Sequence, residues 1–201
     1  MTDVLAPSGK REQTKAANRA AILRAGAEAF AELGYGAASV RDIVRRTDLA
    51  TGTFYNYFPD KESVLREIMD GVAEQVRARA RTARQHSSDL EGFVADGFRA
   101  YYSVLAADRR TFELLRRNAG TIRAMFDEPA VFAGYAELEE DLRAAVASGA
   151  LPPLDVGYLA GAMVGAGFEV AVLMLDRDPP DVEGAVAFVT SLFIGGIMRM
   201  R

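Results

Sequence analysis

The chain has no cysteine, and its 201 residues include a single histidine, His86. The first absence excludes a disulfide framework and thiol chemistry. Together they argue against a buried zinc site, and neither a metal nor a cofactor is expected. A phosphate loop of the Gly-x-x-x-x-Gly-Lys type is also missing, and no nucleophile–base set stands out, so no catalytic residue is assigned. The opening MTDVLAPSGKREQ has no apolar run of the signal-peptide kind, from which a cytoplasmic location is expected.

Positive charge is scarce as well. The formal net charge is −4, which taken whole argues against a polyanion as partner. The distribution reverses that reading. Residues 10–61 hold nine Lys or Arg against six acids, a net of +3, and all three lysines lie there. Residues 62–201 hold fifteen Arg against twenty-one acids, a net of −6. Phosphate attraction is local, within a Debye length of about 8–10 Å. A mildly basic head on an acidic body is therefore compatible with DNA, as it is with a plain solvated helical surface.

What the chain does have is apolar residues in helical register. Half of it is hydrophobic, enough for a sizeable core in one large or two small domains. Residues 1–9 are expected to be irregular, broken by Pro7, Ser8 and Gly9. A first helix runs from about Lys10 to Leu33 with Ile22, Gly26, Phe30 and Leu33 on one stripe, and Gly34 ends it. Lys10, Arg11 and Lys15 at its start fit a phosphate contact or a solvated helix end equally well.

The stretch Ser39–Leu65, SVRDIVRRTDLATGTFYNYFPDKESVL, is the organising one. Ser39 with Asp42 makes a capping box, and Val40, Ile43 and Val44 give the helix it opens an apolar face. Thr47-Asp48-Leu49-Ala50 supplies a turn. The next helix carries Phe54 and Phe58 at i, i+4, so both rings share its inner face. Thr51, Gly52, Thr53, Tyr55, Asn56 and Tyr57 are left on the other side. Pro59 stops that helix, and Asp60 caps the one beginning at Lys61. A short helix with two rings inward and small polar and phenolic groups outward suits a major groove. A helical hairpin with ordinary polar surface positions would read the same way.

Ile22-Leu23 to Phe30, Gly34-Tyr35, Ser39-Val40-Arg41-Asp42-Ile43, Gly52-Thr53-Phe54-Tyr55-Asn56-Tyr57-Phe58 and Lys61-Glu62 together resemble the N-terminal domain of the TetR family, over about a third of the chain. The resemblance implies an all-α fold. A three-helix helix-turn-helix DNA-binding domain would occupy residues 10–60, and a helical ligand-binding and dimerisation domain residues 61–201. It implies a homodimeric regulator, usually a repressor, released from double-stranded operator DNA by a small molecule. Thr51, Gly52, Thr53, Tyr55, Asn56 and Tyr57 would face bases or phosphates, with Ser39, Arg41 and Lys61 holding the backbone. Asp48 stands where the family usually has a turn Gly. Ala50 stands where a Ser usually caps the recognition helix, and Thr51 where Lys or another polar residue is common; the operator sequence is left open.

Beyond Lys61 a long helix continues to about Gln85, and Arg77, Arg79, Arg81 and Arg84 read as its solvated face. His86 reads as a helix-end residue. Asp89 caps a helix over about 89–107, residues 109–126 break near Asn118-Ala119-Gly120, and a helix from about Pro129 to Ser148 ends at Gly149. Aromatic and Met side chains in this part are ordinary core by periodicity. By the resemblance some line a ligand pocket, with Phe93, Phe98, Tyr101, Tyr102, Phe112, Met125, Phe126, Met163, Phe168 and Glu169 as candidates for a hydrophobic or aromatic effector.

Residues 156–175 and 184–198 are nearly free of charge, and Gly157, Gly161 and Gly165 repeat at the spacing of closely packed helices. A membrane hairpin is one reading. Glu169 mid-span and the short second stretch argue against it. The resemblance implies instead that the homodimer forms through residues 155–199, with no membrane partner. Glu169 is then a carboxylate paired with an Arg, or a polar anchor in the pocket. An enzyme and a membrane-associated adaptor remain the alternatives to a regulator.

Overall fold

The computed structural model describes residues 8–87, 89–124 and 129–200, with backbone alone at 8 and 129–132. The described residues form helices and no strand: α1 Ser8–Leu33, α2 Val40–Val44, α3 Thr51–Phe54, α4 Lys61–His86, α5 Leu90–Ala106, α6 Arg109–Arg123, α7 Pro129–Ala147, α8 Val156–Leu175 and α9 Val182–Ile197. The irregular stretch expected over 1–9 lies outside the described residues up to 7, whereas Ser8 and Gly9 already belong to α1.

The chain divides into two units, 1–69 and 70–201. The division falls inside α4 rather than at residue 60, because Val64, Leu65 and Met69 are buried with the N-terminal helices. In that unit Ile22, Ala25, Ala29 and Phe30 of α1, Ile43 of α2, and Phe54 and Phe58 form one core. Gly34, at φ 80°, turns the chain out of α1, a conformation that favours glycine. Gly26 is fixed by proximity: a Cβ there would lie 2.5 Å from Val64 Cγ1. Val64 is fully buried and β-branched, so it has no other rotamer to retreat to. Gly26→Ala is expected to lower stability by about 1–3 kcal/mol despite alanine's better helix propensity. A thermal melt checks this, and adding Val64→Ala should return part of the loss.

The helix-turn-helix caps follow the sequence closely. Ser39 and Asp42 form the reciprocal capping box, and Asp60 accepts from the Ser63 amide at 2.7 Å. The turn closes differently from the family pattern. No residue other than glycine has a positive φ among the described residues, so Asp48 turns the chain without a left-handed conformation. Thr47 instead does the work, accepting from the Leu49 amide at 3.2 Å and donating to the Val44 carbonyl at 2.8 Å. Ala50 caps α3 with no side-chain bond, and Thr51 does not replace it. Ala50→Ser should therefore stabilise by about 1 kcal/mol, a rise of about 4–8 °C in the melting temperature of this unit.

In the second unit α5 packs most extensively on α9, and α8 on α7 and α9. Phe98 is the centre, stacked on Tyr102 and Phe193 at centroid distances of 5.7 and 5.9 Å. The break expected in α6 is present. At Asn118 the backbone leaves helical values (φ −115°, ψ 18°), and its buried amide donates to the Leu114 carbonyl at 2.7 Å. The side chain thereby serves a carbonyl at the bend. Two arginines read as solvated are not. Arg84 is almost fully covered and donates to Asp141 at 2.8 Å, and Arg77 pairs with Glu74 and Glu137. His86 ends α4, exposed, with Nδ1 2.8 Å from the Thr82 carbonyl.

Candidate nucleic-acid interface

The second helix of the helix-turn-helix shows two chemically opposite sides. Phe54 is 0% exposed and Phe58 2%, their ring centroids 6.1 Å apart. Thr51, Gly52, Tyr55 and Asn56 are exposed, Tyr55 by 56%. Regular helix covers only Thr51–Phe54, but the Phe58 amide still donates to the Phe54 carbonyl at 3.0 Å, so the two rings stay in helical register. The result is a small surface of hydroxyl, amide and bare backbone, able to donate or accept at base edges and phosphates.

The remaining candidates of this unit divide. Arg41 is exposed on α2, and Arg45 at its end is exposed too. Ser39 is exposed, but its hydroxyl is committed to Asp42 at 2.5 Å. That bond, with a second from the Ser39 amide, holds the Asp42 carboxyl below the usual carboxylate range. Thr53 is half-buried, and Tyr57 is half-buried with its hydroxyl accepting from Asn18 Nδ2 at 3.1 Å. Lys61 is turned inward. Its ammonium donates to the carbonyls of Tyr35 at 2.6 Å and Ala38 at 2.8 Å, with Gly36 at 3.4 Å, and lies 4.5 Å from the centre of the Tyr35 ring. A lysine so occupied ties the α1–α2 loop to the start of α4. Lys61, expected at the DNA backbone, is thus placed at the start of α4 with its ammonium on the loop carbonyls.

The family model for bacterial regulatory proteins of the tetR family matches residues 22–68, the helices that build this surface. A curated relative, the HTH-type transcriptional repressor KstR2 of Rhodococcus jostii (strain RHA1), is 31% identical over 90 residues. Residues 22–68 form an N-terminal domain of the TetR type. The match to KstR2 covers 43% of this chain and spans 44% of that relative's length. The fatty acid degradation regulator FadR from Bacillus halodurans has a similar fold, with a TM-score of 0.76 at 24% identity over 89% of this chain and 95% of that one. FadR from Bacillus subtilis, solved in complex with stearoyl-CoA, gives the same TM-score and identity over 89% and 98%.

The C-terminal candidates divide by burial. Phe98, Tyr102, Met163 and Phe168 are buried, while Phe93, Tyr101 and Phe112 are half-buried. Met125 and Phe126 lie outside the described residues. Burial pushes the phenols of Tyr101 and Tyr102 up. Glu169 is not among the buried groups. It is exposed and paired with Arg123, whose guanidinium lies 5.5 Å from the Phe168 ring centre. The ion-pair reading of Glu169 is the one its geometry fits.

Periodicity and motifs missed several residues. Asn18, Arg19 and Glu67 grip the end of α3, and Thr190 is a buried hydroxyl on α9. The first three carried no signal, because their partners lie 39 and 48 positions away along the chain. Helix α8 is long and apolar enough to cross a membrane, by length and composition, with 39% of its most apolar window buried. Core helices meet the same criterion, and Leu159, Ala160, Met163, Phe168, Ala171 and Met174 are used as core.

Proposed function

We propose that this protein is a homodimeric, cytoplasmic transcriptional regulator, a repressor released from its operator by a hydrophobic small molecule. The observation that carries it is the two-sided helix at Thr51–Phe58, rings inward and Thr51, Gly52, Tyr55 and Asn56 outward. One such helix from each protomer would enter successive major grooves. Arg41 and the exposed Arg45 supply phosphate attraction. The test is a mobility shift with labelled DNA from upstream of the protein's own coding sequence, repeated across a salt series. A shift that weakens linearly in log–log coordinates is expected. No shift at low salt on that fragment or on a pool of random duplexes would remove the reading.

Dimerisation is supported by what α8 and α9 leave uncovered. Leu173 is 65% exposed and Phe188 59%, with Tyr158, Leu192 and Met198 exposed as well. Gly161, Gly165 and Gly195 are exposed on the same two helices, where small residues let helix axes approach closely. An apolar surface of this kind on two helices marks an interaction site, and a second copy supplies the matching pair.

The effector is inferred to be apolar with a neutral hydrogen-bond acceptor. Tyr102 Oη and Thr190 Oγ1 are buried with no hydrogen-bond partner, a cost of roughly 1–3 kcal/mol each that an acceptor would recover. Asn118 and Thr190 carry no charge, the covered Arg84 is already spent on Asp141, and the unpaired buried Glu137 Oε2 is itself anionic, which together disfavour an anionic group in the interior. The stearoyl-CoA bound by the B. subtilis FadR supports an acyl thioester class, whose chain is apolar and whose carbonyl is neutral. Release requires that such a ligand bind the two conformational states with different affinity.

A further inference from the structure

Helix α3 has little of its own to hold it. It is four residues long, its cap position is Ala50 with no side-chain bond, and it ends at Tyr55. A helix of this length does not persist unaided in water. At its C-terminal end, however, α1 and α4 close on it through one side chain. The guanidinium of Arg19 lies over the Phe58 ring, 4.6 Å from its centre. Its Nε donates to Glu67 Oε1 at 2.7 Å, its Nη2 to the other carboxylate oxygen, and its Nη1 approaches the Tyr57 carbonyl at 3.4 Å. Beside it Asn18 donates to the Tyr57 hydroxyl.

We infer that Arg19 is a positioning residue: braced by Glu67, it fixes the end of the recognition helix and so the aim of Thr51, Gly52, Tyr55 and Asn56, and it is not a phosphate contact. The inference rests on the DNA-binding reading above. The alternative deserves its own weight, since the Arg19 side chain is 44% exposed and lies in the unit proposed to meet DNA. The geometry decides against it. Both ends of the fork are spent on one carboxylate, the planar face is spent on a ring, and the adjoining Glu67 would repel a phosphate. A lysine reproduces the charge but neither the fork nor the stacked plane.

The two roles predict opposite signs for the same substitution. If Arg19 contacts phosphate, Glu67→Gln removes a competitor and a repelling charge, and DNA binding tightens. If Arg19 is a brace, Glu67→Gln loosens the end of α3, and binding weakens by about tenfold with the salt slope unchanged. Arg19→Lys should weaken binding comparably. Titrations of the full chain against its upstream DNA at several salt concentrations read both. Tighter or unchanged binding by Glu67→Gln, or wild-type affinity in Arg19→Lys, overturns the inference. A readout without DNA keeps it separate from the regulator reading: amide hydrogen exchange at Asn56, Tyr57 and Phe58, whose amides donate to Thr53 and Phe54 carbonyls. Both variants should speed that exchange by about tenfold while the exchange of α1 core amides is retained. If the wild-type chain shifts no DNA, the regulator reading falls, and exchange still judges the brace: faster in both variants supports it, unchanged in either overturns it.

Discussion

Phe54→Ala is expected to abolish DNA binding and to cut the stability of the N-terminal unit by about 3–5 kcal/mol, the usual cost of deleting a buried ring. Phe54 is fully buried, meets Phe58 at 6.1 Å and takes the Tyr55 ring edge-on at 5.3 Å. The unit it serves is only 69 residues long, so a loss of that size takes much of the roughly 5–15 kcal/mol a domain has. The melting transition of this unit should fall by roughly 15 °C or more. Tyr55→Ala is the companion. That ring is more than half exposed, so its removal should move stability little, by about 0.5 kcal/mol, yet weaken DNA binding strongly. A Phe54→Ala protein that melts like the wild type would show that the ring is not the anchor. Full DNA binding by Tyr55→Ala would show that the outward side is not the contact.

Phe188→Glu should split the dimer and with it operator binding. The side chain is 59% exposed in the single chain, so a carboxylate there costs the isolated protomer almost nothing, and any fall in melting temperature should be only the lost stabilisation of the dimer. In a helix-pair interface the same carboxylate would be buried against apolar side chains without a partner, which costs several kcal/mol. Sedimentation at micromolar concentration should show a monomer. DNA affinity should drop by about a hundredfold or more, because two linked heads bind two half-sites at a high effective concentration and single heads do not. Persistence of the wild-type dimer in both Phe188→Glu and Leu173→Glu would place the interface elsewhere.

Local rules in the sequence carried the helices well. The capping box at Ser39, the cap at Asp60, the stop at Gly34, the break near Asn118 and the ends at Asp89 and Gly149 all stand where residue chemistry put them. Each of these bonds runs between residues within about four positions, so the sequence shows both partners at once. Side chains with distant partners were not legible. Lys61, read from the sequence only as a DNA-backbone candidate, serves carbonyls 23 to 26 positions away. Arg84, read as solvated, meets Asp141, 57 positions on. Composition treats both as surface charges, and only packing shows them committed.

The sequence by itself determined the all-helical order, the buried pair Phe54 and Phe58, and the polar residues set opposite them, because these follow from periods of three and four along one chain. Only the tertiary structure decided which charges are free to meet a partner and which are spent inside. It tied Lys61 to loop carbonyls and Arg19 to Glu67, left Arg41 and Arg45 outside, and paired Glu169 with Arg123. The reason is reach. A long charged side chain finds the nearest carbonyl or carboxylate in space, and that neighbour is set by how helices cross rather than by the order of residues.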